Sequence, residues 1–207
     1  MQTDKLSKPQ AIVFDVGNVL LNLDWTITAQ KLGLELNSEK FENLFLSVRD
    51  WDLFHLFEKG LCSEEEFYKA FSSRFLSQIS QNEFEEIWNS CLPSEVDGVA
   101  EVIQELSERY TIFGLSNTNS IHFRYFMDRF PIFRNFKKVF TSFEWNLRKP
   151  DPLIFQQLLE SVALSPNQIV FFDDLPDNVA AAKNHGIQAY QAYRSAQSIR
   201  DCESLRR

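Results

Sequence analysis

The stretch Ala11-Ile12-Val13-Phe14-Asp15 places four apolar residues directly before an aspartate. Ile12 and Val13 are β-branched, and so short an apolar run ending in a charged residue is typical of a strand buried on both faces. Three further apolar runs have the same character: residues 110–115, 139–143 and 169–172. Polar residues follow three of the four runs at once: Asp15, Ser116 and Asp173.

The segments between these runs have the apolar periodicity of helices. One stripe at helical spacing consists of Val99, Val102, Ile103 and Leu106. Asp151 followed by Pro152 predicts a helix start, because Asp caps helices and Pro fits their first position. Buried strands alternating with amphipathic helices predict an α/β fold with a parallel sheet covered on both faces. The polar residues that close the strands should then converge at one edge of the sheet, where such folds bind ligands.

Composition and charge exclude several classes of protein. The 207 residues are 44% hydrophobic and 24% charged, which is an ordinary globular composition. The net charge of −8 argues against general affinity for nucleic acid or anionic membranes. Aromatic and basic residues interleaved between 121 and 145 are therefore interpreted as core packing. Three widely spaced cysteines predict free thiols, and with no signal or membrane span in the sequence we expect a cytoplasmic protein.

Residues 25–92 interrupt the alternation of strands and helices. This segment has no convincing strand, and its short amphipathic pieces predict four or five helices. It contains six Lys plus Arg and twelve Asp plus Glu, so it carries −6 of the total charge. We therefore predict a helical unit at 23–92, inserted into an α/β core formed by 1–22 and 93–207.

Four ordered stretches resemble the motifs of the haloacid dehalogenase (HAD) superfamily. The first is Phe14-Asp15-Val16-Gly17-Asn18-Val19-Leu20, and the second is Leu115-Ser116-Asn117-Thr118-Asn119. The third runs from Arg148-Lys149-Pro150-Asp151 to Phe155, and the fourth is Phe171-Phe172-Asp173-Asp174-Leu175-Pro176-Asp177-Asn178. The resemblance covers the whole chain and implies a Rossmann-like three-layer core, with the helical insert as a small cap domain.

The resemblance implies a phosphatase that works through a covalent intermediate. Asp15 would attack phosphorus and form an aspartyl phosphate. The repulsion between a carboxylate and a phosphate calls for a hard cation, and the resemblance implies Mg²⁺. Its implied ligands are Asp15, the carbonyl of Gly17, and Asp174 in preference to Asp173, with Asn178 orienting a ligand or water.

Other residues are expected to hold the substrate, a small phosphorylated metabolite. Ser116 and Asn117 would donate to the phosphoryl oxygens, and Lys149 would stabilise Asp15 and the transferring group. Arg148 is expected to point away from Lys149, because neighbours in an extended segment face opposite ways. His55 and Arg49, in the insert, are candidate substrate contacts. The alternative for His55 is a partly buried histidine that only packs.

One position departs from the family's phosphatases. They carry a second aspartate two residues after the nucleophile, as general acid and base, and here that residue is Gly17. The form Asp-x-Gly-Asn-Val also occurs in members regarded as sugar-phosphate phosphatases, so a sugar phosphate is one expected substrate. Two alternatives stay open: a catalytically weak member that binds a phosphometabolite or a protein, and a metal-independent dehalogenase or epoxide hydrolase. The paired Asp173 and Asp174 favour phosphate chemistry over the last of these.

Overall fold

A computed structural model describes residues 8–33, 51–75 and 79–205 of the chain. Its sheet has five parallel strands in the order β3-β2-β1-β4-β5. The strands are β1 (Ala11–Phe14), β2 (Thr111–Ser116), β3 (Lys138–Thr141), β4 (Ile169–Asp173) and β5 (Gln188–Gln191). The chain first winds outward from β1 through β2 to β3, and then crosses back to β4 on the other side of β1. The strand order thus reverses at β1, and ligands of such sheets bind at this point, outside the carboxyl ends of the strands.

Helices cover both faces of the sheet, as the sequence predicts. The core helices are α5 (Val99–Ser107), α6 (Ser120–Arg129), α7 (Ser142–Trp145), α8 (Pro152–Val162), α9 (Pro176–Asn184) and α10 (Ala196–Arg200). Ile12 and Phe14 pack into one hydrophobic cluster with residues of α5, α6 and α10, whereas Ala11 and Val13 pack into a second one with α8 and α9. All four residues of β1 are fully buried. This confirms the three-layer α/β fold.

The segment between β1 and α5 is helical where it is described. It contains α1 (Trp25–Lys31), α2 (Asp52–Glu58), α3 (Glu64–Phe75) and α4 (Gln81–Asn89). These helices share a third cluster, built on aromatic rings, in which Phe57 stacks on Phe67 at 4.3 Å between ring centroids. Ile121 of α6 belongs to the same cluster, so the cluster joins the inserted helices to the core.

Two details of the sheet differ from the sequence-based prediction. The run 139–143 was expected to be a single strand, but β3 ends at Thr141 and α7 begins at Ser142. The chain turns there because the Ser142 hydroxyl accepts from the Thr118 amide at 2.9 Å and donates to the Glu58 carbonyl at 2.6 Å. The edge strand β5 was not predicted at all, because its residues are mostly polar and only half-buried. Within the described ranges, no helix is long and apolar enough to span a bilayer.

Candidate active site

Three carboxylates meet at the carboxyl edge of the two central strands. Asp15 directly follows β1, Asp173 is the last residue of β4, and Asp174 comes next. The Asp15 amide donates to the Phe172 carbonyl at 2.8 Å, which continues the ladder between the strands to their ends. One oxygen from each carboxylate lies within 4.8 Å of the others. The convergence expected from the sequence pattern is therefore present for Asp15 and Asp173, and Asp174 joins them.

Lys149 lies inside this group of carboxylates. Its Nζ donates to Asp15 Oδ1 at 2.7 Å, to Asp173 Oδ2 at 2.7 Å and to the Leu115 carbonyl at 2.6 Å. The side-chain amide of Asn117 makes two hydrogen bonds to the main chain of Lys149. Its Oδ1 accepts from the Lys149 N–H at 2.8 Å, and its Nδ2 donates to the Lys149 carbonyl at 2.9 Å. The three ammonium hydrogens are all used within the protein, and the side chain is fixed between the strands.

Asp173 and Asp174 have different environments although they are neighbours. Asp173 is fully buried, and its Oδ1 accepts from the Leu175 amide at 2.9 Å and from Asn178 Nδ2 at 2.8 Å. With Lys149 on Oδ2, both of its oxygens are engaged. Asp174 is half-buried and lines a cavity, and its Oδ2 accepts from Asn18 Nδ2 at 3.1 Å. Asp174 therefore faces the space into which a ligand would bind, and Asp173 anchors Lys149.

Burial dominates the electrostatics of these carboxyl groups. It raises the pKa of Asp15, and the attraction of Lys149 only partly offsets this effect. The pKa of Asp174 is also raised by burial, with the Asn18 hydrogen bond opposing. Burial disfavours the charged form of Lys149, but Asp15 and Asp173 outweigh this penalty and raise its pKa. In the part of the chain that the structure describes, Lys149 is the one cation bonded to this group of three carboxylates, which therefore carries an excess of negative charge.

The donor set fits a magnesium ion. Mg²⁺ prefers oxygen ligands, mostly one or two carboxylates with water and substrate oxygens. Asp15 and Asp174 both line the cavity, and a cation between their carboxylates would relieve the charge imbalance. Gly17 lines the same cavity. The fully engaged oxygens of Asp173 suit it less well to direct ligation.

A cavity of about 630 Å³ opens above this edge of the sheet. Its polar lining comes mainly from the core and includes Asp15, Asn117, Lys149, Asp174 and Asn178. Much of its apolar lining comes from the inserted helices. The carboxylates thus form part of the wall of a space large enough for a small-molecule ligand.

Arg148 differs in part from its prediction. Its side chain does point away from that of Lys149, but it lines the same cavity. There it donates from NH1 to His55 Nδ1 at 2.8 Å, and its NH2 lies 2.7 Å from Glu58 Oε2. Burial raises the pKa of Glu58 to about 7, although the Arg148 guanidinium acts to lower it. These contacts link α2 to the core at the wall of the cavity.

Of the remaining predicted site residues, one lines the cavity, one does not, and one lies outside the described part of the chain. His55 lines the cavity and is bonded to Arg148. Ser116 ends β2 and is buried, but it does not contribute to the lining of the cavity. Arg49 lies outside the described residues. Asp24, an acidic residue close to Gly17 in the sequence, caps α1 by accepting from the Thr26 amide at 2.9 Å.

Sequence reasoning gave no role to two residues that organise the site. Asn18 has a left-handed backbone (φ 55°) and bonds Asp174, while its Oδ1 accepts from Arg194 Nε at 2.9 Å. Asn tolerates this conformation better than most residues, so its position in a tight turn after β1 was a usable signal. Glu58 gave no such signal, because its pairing with Arg148 spans 90 positions of sequence.

Comparison with known proteins identifies the family. The family model for haloacid dehalogenase-like hydrolases matches residues 12–192. D-ribitol-5-phosphate phosphatase of Bacteroides thetaiotaomicron is 25% identical over 195 residues, which is 89% of this chain and 92% of the relative. Drimenol cyclase of Aspergillus calidoustus is 25% identical over 188 residues, and the match spans 87% of this chain but only 33% of that protein.

A solved structure extends the similarity to the whole fold. A HAD family enzyme of Bacteroides thetaiotaomicron, in complex with magnesium and inorganic phosphate, superimposes with a TM-score of 0.81. It is 27% identical, and the match covers 96% of this chain and 100% of that one. The chain therefore belongs to the haloacid dehalogenase-like hydrolase family, and the family predicted from its motifs is confirmed.

Proposed function

We propose that this protein is a Mg²⁺-dependent phosphomonoester hydrolase acting on a small phosphorylated metabolite. One observation carries the proposal: Lys149 Nζ lies 2.7 Å from both Asp15 and Asp173, while Asp15 and Asp174 face the same cavity. The magnesium and phosphate complex of a related HAD enzyme supports the choice of cation and of substrate group. The similarity to a D-ribitol-5-phosphate phosphatase supports a phosphomonoester, with a sugar phosphate as one candidate.

The chemistry assigned to Asp15 is nucleophilic attack on phosphorus. Lys149 holds Oδ1, so Oδ2 is the oxygen that attacks. A phosphorus–oxygen bond to Asp15 forms as the ester bond breaks, and the leaving oxygen takes a proton from water, since Gly17 has no acid to offer. Water then attacks the aspartyl phosphate and releases inorganic phosphate and free Asp15.

The other groups stabilise charge in these steps. Bound Mg²⁺, held by Asp15, Asp174 and the Gly17 carbonyl, would neutralise the phosphate and Asp15 during attack. Lys149 favours the ionised form of Asp15 against the effect of burial and orients its carboxylate, and Asn117 fixes Lys149. Ser116, Asn117, His55 and Arg49 are proposed to contact substrate. Residues 23–92 are proposed to be a cap domain on a core of 1–22 and 93–207. The free thiols of the three buried cysteines support the proposed cytoplasmic location.

The test is phosphate release by Asp15→Asn across a panel of phosphomonoesters, with Mg²⁺ or with EDTA. The wild type should release phosphate only with Mg²⁺, and the variant should lose at least about a thousandfold in kcat while keeping its fold. Asp177→Asn is the matched control, because Asp177 is an exposed aspartate of the same motif. It should keep wild-type turnover.

Other outcomes identify the alternatives. Wild-type turnover by Asp15→Asn would remove Asp15 as the nucleophile. Phosphate binding without release by the wild type would favour a catalytically weak member, as the glycine at position 17 permits. Product formation from a haloacid or an epoxide in EDTA would indicate hydrolysis at carbon.

A further inference from the structure

The cavity above Asp15 has an apolar wall contributed by the inserted helices. Trp25 and Ala29 come from α1, Phe54 from α2, Phe71 from α3 and Trp88 from α4. Leu23 and Leu32, at either end of α1, extend this wall. Trp25 and Trp88 pack at 5.1 Å between ring centroids, so the wall is built on the aromatic cluster. Trp25, Leu32 and Phe54 are only half-buried, which leaves part of their apolar surface open to a ligand.

Several polar side chains that line the cavity near this wall already have partners within the protein. Thr28 donates to the Ile87 carbonyl at 3.4 Å, and Arg148 is bonded to His55 and paired with Glu58. Asn18 and Arg194 bond each other, and Arg194 NH2 also donates to the Leu23 carbonyl at 2.6 Å. A sugar in this space would place hydroxyl groups against aromatic rings and against polar groups that already have partners. Burying hydroxyl groups without partners is unfavourable.

The size of the cavity also bears on which leaving group the substrate carries. At about 630 Å³ it belongs to the range that accepts drug-sized ligands, and a phosphoryl group at Asp15 would fill only a small part of it. The remainder must hold the group that leaves with the ester oxygen. Because the carboxylates and the aromatic wall line one continuous cavity, this leaving group would contact the wall.

We infer that the preferred substrate is a phosphate monoester of an apolar alcohol, with an alkyl, alkenyl or aromatic leaving group, and not a sugar phosphate. This inference rests on the proposed phosphomonoesterase function. The phosphoryl group is placed at the sheet edge, and the hydrocarbon lies against Trp25, Phe54 and Trp88.

A binding series tests the inference without catalysis. Butyl-, hexyl- and octylphosphonate cannot be hydrolysed, and their binding in Mg²⁺ can be followed by calorimetry and by quenching of tryptophan fluorescence, since two of the chain's four tryptophans line the cavity. The dissociation constant should tighten about fourfold per methylene, the fold-change equivalent to ~0.8 kcal/mol per buried CH₂. The dihydroxylated 3,4-dihydroxybutylphosphonate should bind at least tenfold more weakly than hexylphosphonate.

Two variants locate the binding surface. Ala29→Leu fills space at the wall, and it should weaken octylphosphonate by more than tenfold while changing butylphosphonate by less than twofold. Gln30→Leu is the matched control, because Gln30 is the next residue on α1 and is exposed. It should leave the whole series unchanged. Phe54→Ser, at a half-buried position, should flatten the dependence on chain length even if Ala29→Leu fails to fold.

Hydrolysis separates this inference from the proposed function. Hexyl phosphate and sorbitol 6-phosphate have the same number of carbons, and kcat/KM should be at least tenfold higher for hexyl phosphate. A preference for sorbitol 6-phosphate, or a dissociation constant that does not change with chain length, overturns the inference and leaves the phosphatase proposal standing. Chain-length-dependent binding without hydrolysis of any ester supports the apolar site and overturns the phosphatase proposal.

Discussion

Asp173 and Asp174 are neighbouring aspartates, but they differ in burial and in hydrogen bonding, and we therefore expect them to have different roles. Asp173 accepts hydrogen bonds from the Leu175 amide, from Asn178 and from Lys149 at full burial. Asp174 is half-buried, faces the cavity and accepts from Asn18. The sequence motif ranked Asp174 ahead of Asp173 as a metal ligand, and the hydrogen bonding gives that ranking a physical reason.

The two aspartates should therefore respond differently to substitution. Asp173→Asn leaves buried Lys149 with one carboxylate fewer, and breaking a buried ion pair in this way costs about 3–5 kcal/mol of unfolding free energy. Asp174→Asn should stay within about 1 kcal/mol of wild type in EDTA, as is usual away from buried networks. It should also raise the Mg²⁺ concentration needed for half-maximal activity at least tenfold. Denaturant unfolding and a Mg²⁺ titration of phosphate release measure these effects, and the reverse pattern would exchange the two roles.

His122 is a residue to which the sequence gave no role, and the structure places it beneath the aromatic wall. Its ring stacks on Trp88 at 5.2 Å, with Nε2 3.1 Å from the Trp88 carbonyl and Nδ1 3.2 Å from Asn119 Nδ2. This geometry suits the neutral ring, in which Nε2–H donates and Nδ1 accepts. Burial lowers the pKa of His122 to about 4, against the opposing effect of the Trp88 carbonyl.

The lowered pKa of His122 gives stability a defined dependence on pH. Between pH 6.5 and pH 4 the unfolded chain binds a proton at this residue and the folded chain does not, so acid lowers stability. A shift of this size corresponds to about 3 kcal/mol of unfolding free energy lost across the window. His122→Gln should remove that part of the slope when unfolding is measured in denaturant at several pH values. A variant with the wild-type slope would show that His122 does not titrate as described.

At the scale of elements, a turn after α2 fixes the inserted helices to the core. Gly60 has a positive φ of 66°, and a Cβ there would lie 2.2 Å from the Phe143 carbonyl oxygen. Next to it, the Lys59 carbonyl accepts from Asn146 Nδ2 at 2.6 Å. The backbone of the turn therefore lies directly on α7, and α2, which carries Phe54 and Glu58, is held through it.

Gly60→Ala should separate these surfaces. Backbone strain and overlap with the Phe143 carbonyl together should cost about 3 kcal/mol or more of unfolding free energy. Gly33→Ala is the matched control, since Gly33 also has a positive φ, 69°, but its Cβ would meet no atom of the described residues within 4 Å. It should cost only about 1 kcal/mol for the backbone conformation. If denaturant unfolding shows equal losses of unfolding free energy for the two variants, the turn at Gly60 does not pack against α7 as described.

Elements were predictable where a local pattern dictates them. The four apolar runs gave four strands of the sheet, because strands buried on both faces are continuous stretches of hydrophobic residues. The strand β5 was not predicted because Gln188 and Gln191 make this edge strand polar. Its position is set by pairing with β4. The end of β3 depends on the contact of Ser142 with Glu58, residues that lie 84 positions apart. No local pattern could contain that information.

At the scale of the whole molecule, the features of the site that depend on contacts between distant parts of the sequence could not be predicted either. Motifs located the groups at the sheet edge, because strand ends meet whatever the loops do. The wall of the cavity brings together α1, α2, α3 and α4, and its chemistry emerges only when helices from separate parts of the sequence pack. The family could thus be predicted from sequence, whereas the apolar wall and the Arg148–Glu58 link required the structure.

The charge imbalance of the site should make the stability of the whole fold depend on magnesium. Asp15, Asp173 and Asp174 share Lys149 as the nearby ammonium, so an ion that binds the folded chain alone is stabilising. At about a hundred times its dissociation constant, Mg²⁺ should add ~2.7 kcal/mol to the unfolding free energy. NaCl at matched ionic strength should add little, and Asp174→Asn should lose most of the gain.

The stabilisation by Mg²⁺ should also depend on pH, because the protonation of the carboxyl groups decides how strongly they bind the ion. Because burial raises the pKa values of Asp15 and Asp174, protons compete with the cation at these groups in acid. The gain in unfolding free energy from a fixed Mg²⁺ concentration should thus be larger at pH 8 than at pH 5.5. Denaturant unfolding with Mg²⁺ or EDTA at both pH values measures it. A gain that is equal at the two pH values, or that survives in Asp174→Asn, would place the bound ion away from these carboxylates and leave their shared charge without a counterion.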